Sequence, residues 1–217
     1  MVELSDVEIR VLGCLMEKQV TTPDLYPLTV NALIAACNQS TNRNPVVRYV
    51  ESDVVDALTL LRNVKLTRIV YSPSNRAPKH RHVADEVLML DPAEQAVLCV
   101  LMLRGAQTVG ELKTRTERQH DFENLAEIEA VLDALASREE PLVRRLERQP
   151  GQKDARYVHL LGGETLLAAM VADAATPGAG RADRADRIAE LETRIEALER
   201  QVAALTADIE RLRPLLD

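Results

Sequence analysis

Apolar residues recur along this chain in two alternating rhythms. Ile9, Leu12, Leu15 and Met16 fall on one helical stripe, and Ser5 with Glu8 places a capping box at its start. Thr21-Thr22-Pro23-Asp24 breaks that helix. Val30, Leu33, Ile34 and Cys37 mark a second helix over residues 28–37, and a polar run, 38–45, follows it. A third helix is predicted over 51–65, with Val54, Ala57, Leu58, Leu61 and Lys65 on one stripe. The rhythm then shortens. Residues 67–71 alternate and are rich in β-branched side chains, 72–78 are turn-forming, and 79–83 read as a return strand. Three helices followed by a two-stranded hairpin make a winged helix-turn-helix, the fold class expected for this segment.

The same succession returns further on. Asp91, Pro92 and Glu94 open another helix as N-cap, first helical residue and closing carboxylate. At an offset of 86, Leu4, Glu8, Val11, Leu12, Leu15 and Met16 match Leu90, Glu94, Val97, Leu98, Leu101 and Met102. At 79, Thr29, Val30 and Leu33 match Thr108, Val109 and Leu112; at 74, Val54, Leu58 and Leu61 match Ile128, Leu132 and Leu135. At 75, Arg81 and Val83 match Arg156 and Val158. Offsets that drift while the order holds are what two copies of one fold give when loops change length. The second hairpin is predicted at 142–146 and 156–161, and a short helix at 165–172.

Residues 174–180 are small and breaker-rich and open a linker over 174–186. Beyond them Ile188, Leu191, Ile195, Leu198, Val202, Leu205, Ile209 and Leu212 step by alternating threes and fours. β-Branched residues at a and Leu at d favour a parallel two-stranded coil. The flanking charges agree, since Arg187 would face Glu192, Arg194 would face Glu199 and Asp208 would face Arg213 of a partner helix. The expected organisation is therefore mainly α with small β-hairpins (α+β): winged-helix domains over 1–84 and 85–173, a linker over 174–186, and a dimerising coiled coil over 187–213.

Four stretches resemble the YceH-like family of uncharacterised bacterial proteins. They are residues 22–28 (TPDLYPL), 36–46 (ACNQSTNRNPV), 103–112 (LRGAQTVGEL) and 148–151 (RQPG). The likeness covers roughly residues 3–163 and implies a tandem winged-helix fold, with no established activity and no catalytic residues. Ser40 stands where the resemblance leads one to expect Lys, which removes a positive charge beside Arg43.

Composition narrows the chemistry. The 217 residues are 46% hydrophobic and 28% charged, ordinary for a folded chain, but only 2% are aromatic, which suits helical packing and not base-stacking platforms. The formal net charge of −7 argues against generic adhesion to nucleic acid or anionic membranes. Residues 1–83 are the exception, with 10 basic against 8 acidic side chains; 84–162 hold 10 against 15. Cys14, Cys37 and Cys99 sit among apolar neighbours and read as buried thiols. No apolar run approaches the ~20 residues of a membrane span, and the start of the chain lacks a basic region followed by an apolar one. A cytoplasmic location is the expectation.

Winged helices commonly bind duplex DNA, with the third helix in the major groove and the wing on the backbone. The candidate contacts are Asn38, Gln39, Asn42, Arg43 and Arg48 ahead of the third helix, and Arg76, Lys79 and Arg81 on the wing. The second copy offers Arg144, Arg145, Lys153 and Arg156. The outward faces of the third helices tell against this: Ser52, Asp56, Thr59 and Asn63 in one and Ala126, Ala130, Asp133 and Ser137 in the other bring no cation. His80 and His82 share a strand face and read as wing histidines that could tune anion contact; two histidines do not make a metal site, so no metal is expected. There is no Gly-rich phosphate loop, nucleophile elbow or HExxH, so no enzyme and no cofactor are expected. Two functions remain: a dimeric, DNA-associated protein of transcription-regulator type, or an acidic scaffold that binds other proteins through its winged-helix surfaces and coil.

Overall fold

A computed structural model describes residues 3–71, 77–148 and 152–175. The 187–213 heptads, Arg76 and the linker from residue 176 on lie outside the described residues; residues 174 and 175, expected to begin the linker, end a helix instead. The described residues are α+β, with eight α-helices and two small antiparallel hairpins among them. They fall in one compact unit, Met1–Ala175.

The first repeat begins with α1 (Asp6–Thr21), whose Ser5 and Glu8 side chains cap each other's backbone as expected. α2 (Val30–Cys37) starts later than the apolar pattern alone suggests, because Thr29 accepts from Ala32 N–H and so sets the N-cap. α3 (Glu51–Asn63) ends before Lys65. The expectation that Lys65 continues the buried stripe is corrected: it is exposed and left-handed, with φ 64°, where the chain turns into the hairpin. β1 (Thr67–Val70) pairs with β2 (Lys79–His82), Arg68 lying opposite Arg81. α4 (Ala84–Leu88), which the sequence pattern did not mark, links to the second repeat.

That repeat follows the same order: α5 (Pro92–Arg104), α6 (Val109–Thr116), α7 (Leu125–Ala136), β3 (Val143–Arg145) and β4 (Tyr157–His159). Even a minor feature is duplicated. Leu28 bridges to His80 ahead of α2, and Gln107 bridges to Tyr157 ahead of α6. α8 (Gly163–Ala175) packs beside β4, with Leu167 buried.

α1 and α5 are buried along most of their length because they pack on each other as well as within their own repeats. Their meeting point is Gly13, whose backbone carbonyl accepts from Cys99 Sγ at 3.4 Å. Gly13 and Cys99 are equivalent positions at the offset of 86, so the two repeats meet through corresponding points of their first helices. A Cβ at Gly13 would stand 3.0 Å from Leu103 Cδ2, a tight contact that the Leu103 side chain would have to yield to. The three cysteines are free and buried, as expected.

Both hairpins turn histidines inward. His82 is fully buried, with Nε2 2.6 Å from Gln19 Oε1 and Nδ1 3.5 Å from Asp85 Oδ1. His159 is buried with no hydrogen-bond partner for Nδ1. Burial pushes each imidazole down to about 4. His80 is also buried, and burial followed by the charge of Arg62 lowers it too. The expectation that wing histidines tune anion contact is thereby corrected: the rings face the core and are neutral at pH 7.

The sign of the pH dependence follows. Above the ordinary histidine value of ~6.5 both folded and unfolded forms are neutral and stability is complete. As pH falls from there toward about 4, the unfolded chain takes up protons that the native chain refuses, and stability is lost. Each of His82 and His159 should contribute about 3 kcal/mol to that loss. Chemical denaturation between pH 7 and pH 4 should show the decline, and His159→Met should flatten it. A slope that His159→Met leaves unchanged would mean that the ring titrates normally in the native state.

Candidate functional site

The polar loop between α2 and α3 holds five of the candidate residues, and the structure assigns most of them to internal work. Asn38 clasps Tyr49: its Nδ2 donates to Tyr49 O at 2.8 Å and its Oδ1 accepts from Tyr49 N at 2.8 Å. Arg43 is turned inward and buried. Its five N–H groups meet five acceptors. Nε donates to Ala36 O at 3.0 Å, Nη1 to Glu17 Oε1 at 3.1 Å and Asn42 O at 2.8 Å, and Nη2 to Glu17 Oε2 at 2.7 Å and Gln39 Oε1 at 2.9 Å. Burial alone would lower the guanidinium's pKa, but the Glu17 carboxylate lifts it above its ordinary value. Burial would likewise raise Glu17, and Arg43 holds it below the usual carboxylate range. Arg10 braces the loop from beneath through Pro45 O at 2.7 Å.

Gln39 is thus occupied by Arg43. Asn42, exposed and left-handed with φ 60°, accepts from Arg104 Nη2. Arg48 is exposed. A loop with this much internal bonding presents little to a phosphate.

On the hairpin, Arg68 and Arg81 face each other across the strands. Like charges so placed repel, and Glu86 of the next helix answers both, at 3.4 Å from Arg68 and 3.1 Å from Arg81. Lys79 is half-buried. The outward face of α3 exposes Ser52, Asp56, Thr59 and Asn63 as expected. It also exposes Arg62, so the expectation of no cation there is corrected. Val55 and Leu60 stand out on the same helix, Leu60 half exposed. Asp53 is held at the helix start, accepting from Val50 N at 2.9 Å. α7 exposes Ala126, Ala130, Asp133 and Ser137. The second copy's cations are partly engaged: Arg156 lies 2.8 Å from Glu111, and Arg144 lies 3.5 Å from Glu164.

Sequence reasoning therefore scattered what the structure sorts. Arg43 leaves the surface, Arg68 enters the hairpin group, and a further set of cations around Arg104 and Arg115 gathers in a cleft where the repeats meet. Those arginines lie on different elements, so no local motif announces them. Among the described residues no group of three or more His, Cys, Asp or Glu side chains could hold a metal ion. No described helix is long and apolar enough to cross a membrane.

The role of Arg43 can be tested directly. Removing one partner of a buried, hydrogen-bonded ion pair costs about 3–5 kcal/mol. Arg43→Met and Glu17→Gln should each lower stability by that order in denaturant titrations. A stable Arg43→Met protein would mean that the pair is not the loop's anchor.

Residues 4–152 match the family described as "Protein of unknown function, DUF480". A UPF0502 protein of Geobacter sulfurreducens is 52% identical over 202 residues, covering 93% of this chain and 90% of that protein. A UPF0502 protein of Azoarcus is 44% identical over 215 residues, covering 99% and 95%. One from Aliivibrio salmonicida is 43% identical over 209 residues, covering 93% and 95%.

Proposed function

The chain belongs to the DUF480 family, and from that premise we propose that it is a non-catalytic, tandem winged-helix protein that acts as a protein-binding scaffold. The observation that carries this reading is the outward face of α3. A duplex-reading helix brings cations, because phosphate neutralisation dominates affinity. This one runs Ser52, Asp56, Thr59 and Asn63 along its middle with Val55 and Leu60 at its edges, and Arg62 is its single cation. Two of the cations expected to help are engaged: Arg43 by Glu17 inside the fold, Arg81 by Glu86 beside the hairpin. A polar, acidic face with apolar edges and little positive charge suits contact with another protein better than with a phosphate backbone. The net charge of −7 supports the same reading.

Duplex binding is the second reading, favoured by the clustering of Arg68, Lys79 and Arg81 on one hairpin. Exposed ion pairs such as Arg68–Glu86 are weak and exchange readily with other anions. Retention on a random duplex at low and raised salt separates the two. The scaffold reading expects no salt-sensitive retention. It also expects partner proteins that co-purify after nuclease treatment and are lost with Val55→Asp plus Leu60→Asp. Retention that falls steeply with salt and disappears when Arg68, Lys79 and Arg81 become Ala would establish duplex binding instead.

In this reading the heptads over 187–213 join two copies in parallel, through Ile188, Leu191, Ile195, Leu198, Val202, Leu205, Ile209 and Leu212. Leu198→Asp with Leu205→Asp should yield a monomer in sedimentation. A mass unaltered by the pair of substitutions would remove the coil as the dimer contact.

A further inference from the structure

A cavity of about 510 Å³ opens where the repeats meet, within the size range of small-molecule sites. Its apolar lining comes from Val100 and Leu103 of α5. Its walls come from both repeats: the end of α1, the loop after α2, the end of α5, and α6 with the turn beyond it. Four cations line it, Lys18, Arg104, Arg115 and Arg118. The carboxylates on its wall are Glu17 and Glu117. Glu17 is already held by buried Arg43 and by Lys18 at 3.4 Å. An acidic molecule has thus concentrated positive charge in one concave place.

Of the three that are half-buried, Lys18, Arg104 and Arg115, Arg104 is the least compensated. It is half-buried, and the acceptor it finds is the neutral Asn42 Oδ1; among the described residues no carboxylate pairs with it. Burial, then the neighbouring charges of Arg115 and Arg43, bring its pKa down to about 10, so it stays cationic at pH 7 while crowded by its own kind. Arg115 has Glu111 at 3.7 Å, but that carboxylate is shared with Arg156 at 2.8 Å. Gln39, Asn42 and Gln119 add amide groups around the same opening. Half-buried guanidiniums without full counter-charge match the geometry and charge of phosphate, which accepts paired N–H bonds.

We propose that this cleft between the repeats binds a small phosphate-bearing ligand of nucleotide size, with Arg104, Arg115, Arg118 and Lys18 on the phosphates and Val100 and Leu103 against its organic part. The site needs no macromolecular partner and goes beyond the scaffold reading. A ligand held there touches α1 and its loop on one side and α5 and α6 on the other, so it would tie the repeats together.

Calorimetric titration of the full chain with inorganic pyrophosphate, and with ADP, tests the assignment, with sodium sulfate at matched ionic strength as the reference. Both phosphate probes should bind, and sulfate more weakly by about tenfold or more. Arg104→Gln and Arg115→Gln should each weaken pyrophosphate about tenfold. Arg118→Gln lies on an exposed residue and reads the same site if either inner variant fails to fold; it should weaken binding several-fold. Arg145→Gln, on the second hairpin away from the cleft, should leave binding unchanged. Tighter binding of ADP than pyrophosphate would assign the apolar lining to the nucleoside, and equal binding would confine recognition to the phosphates. No heat with either probe, equal binding of sulfate, or pyrophosphate binding indifferent to Arg104→Gln, Arg115→Gln and Arg118→Gln would overturn the proposal.

Discussion

A single buried guanidinium organises the first repeat. Arg43 reaches from the α2–α3 loop to Glu17 on α1, to Ala36 O within α2 and to Gln39 beside it. An ion pair taken out of water is favourable only when its remaining hydrogen-bonding groups are satisfied, and here all five donors are. The consequences run outward. With Arg43 fixed, the loop places Asn44 N on Leu103 O at 2.9 Å, at the end of α5. The loop of one repeat thereby caps the central helix of the other. The contact between α1 and α5 through Gly13 and Cys99 supplies the apolar part of the same junction.

Charge is distributed by the same logic. Removing Arg43 to the interior leaves the surface ahead of α3 poorer in cations than its composition suggests. On the hairpin, Glu86 answers the two arginines that β-pairing forces into opposition. Elsewhere among the described residues unpaired cations such as Arg48 and Arg62 stand singly on the surface, whereas around Arg104 several are gathered in one concave place. In a molecule of net charge −7 carboxylates outnumber cations, so cations gathered in one cleft without full pairing carry more weight than scattered surface arginines.

Much of this was legible in the sequence, and the reasons for the rest are physical. Capping boxes at Ser5–Glu8 and Asp91–Glu94 mark the starts of α1 and α5 because the signal is local. The offset of 86 finds the equivalence of α1 and α5, yet it does not reveal that Gly13 and Cys99 touch. Packing between repeats leaves no periodic trace. Lys65 fits the helical stripe by spacing, but the hairpin needs a left-handed residue there, and that tertiary demand overrides propensity. His80 and His82 share a face as alternation requires; alternation does not say which face is inward. Arg43 looked like a phosphate contact because a loop arginine usually is solvated. Its partner, Glu17, lies 26 residues away on another helix, beyond any local rule.

The comparison of the two repeats makes the asymmetry more than an accident of description. At the offset of 86, Glu17 of α1 corresponds to Leu103 of α5, and both line the cleft. The connection from α2 to α3, residues 38–50, is also longer than that from α6 to α7, residues 117–124. The second repeat therefore has neither the carboxylate nor the length of loop to build a counterpart of the Arg43 anchor. It closes the same position with an apolar side chain. One wall of the cleft is in this way made polar and fixed, while the other offers an apolar lining next to Arg104. The two repeats thus keep their core helices α1 and α5 equivalent and diverge where these open together, at the junction that forms the cleft.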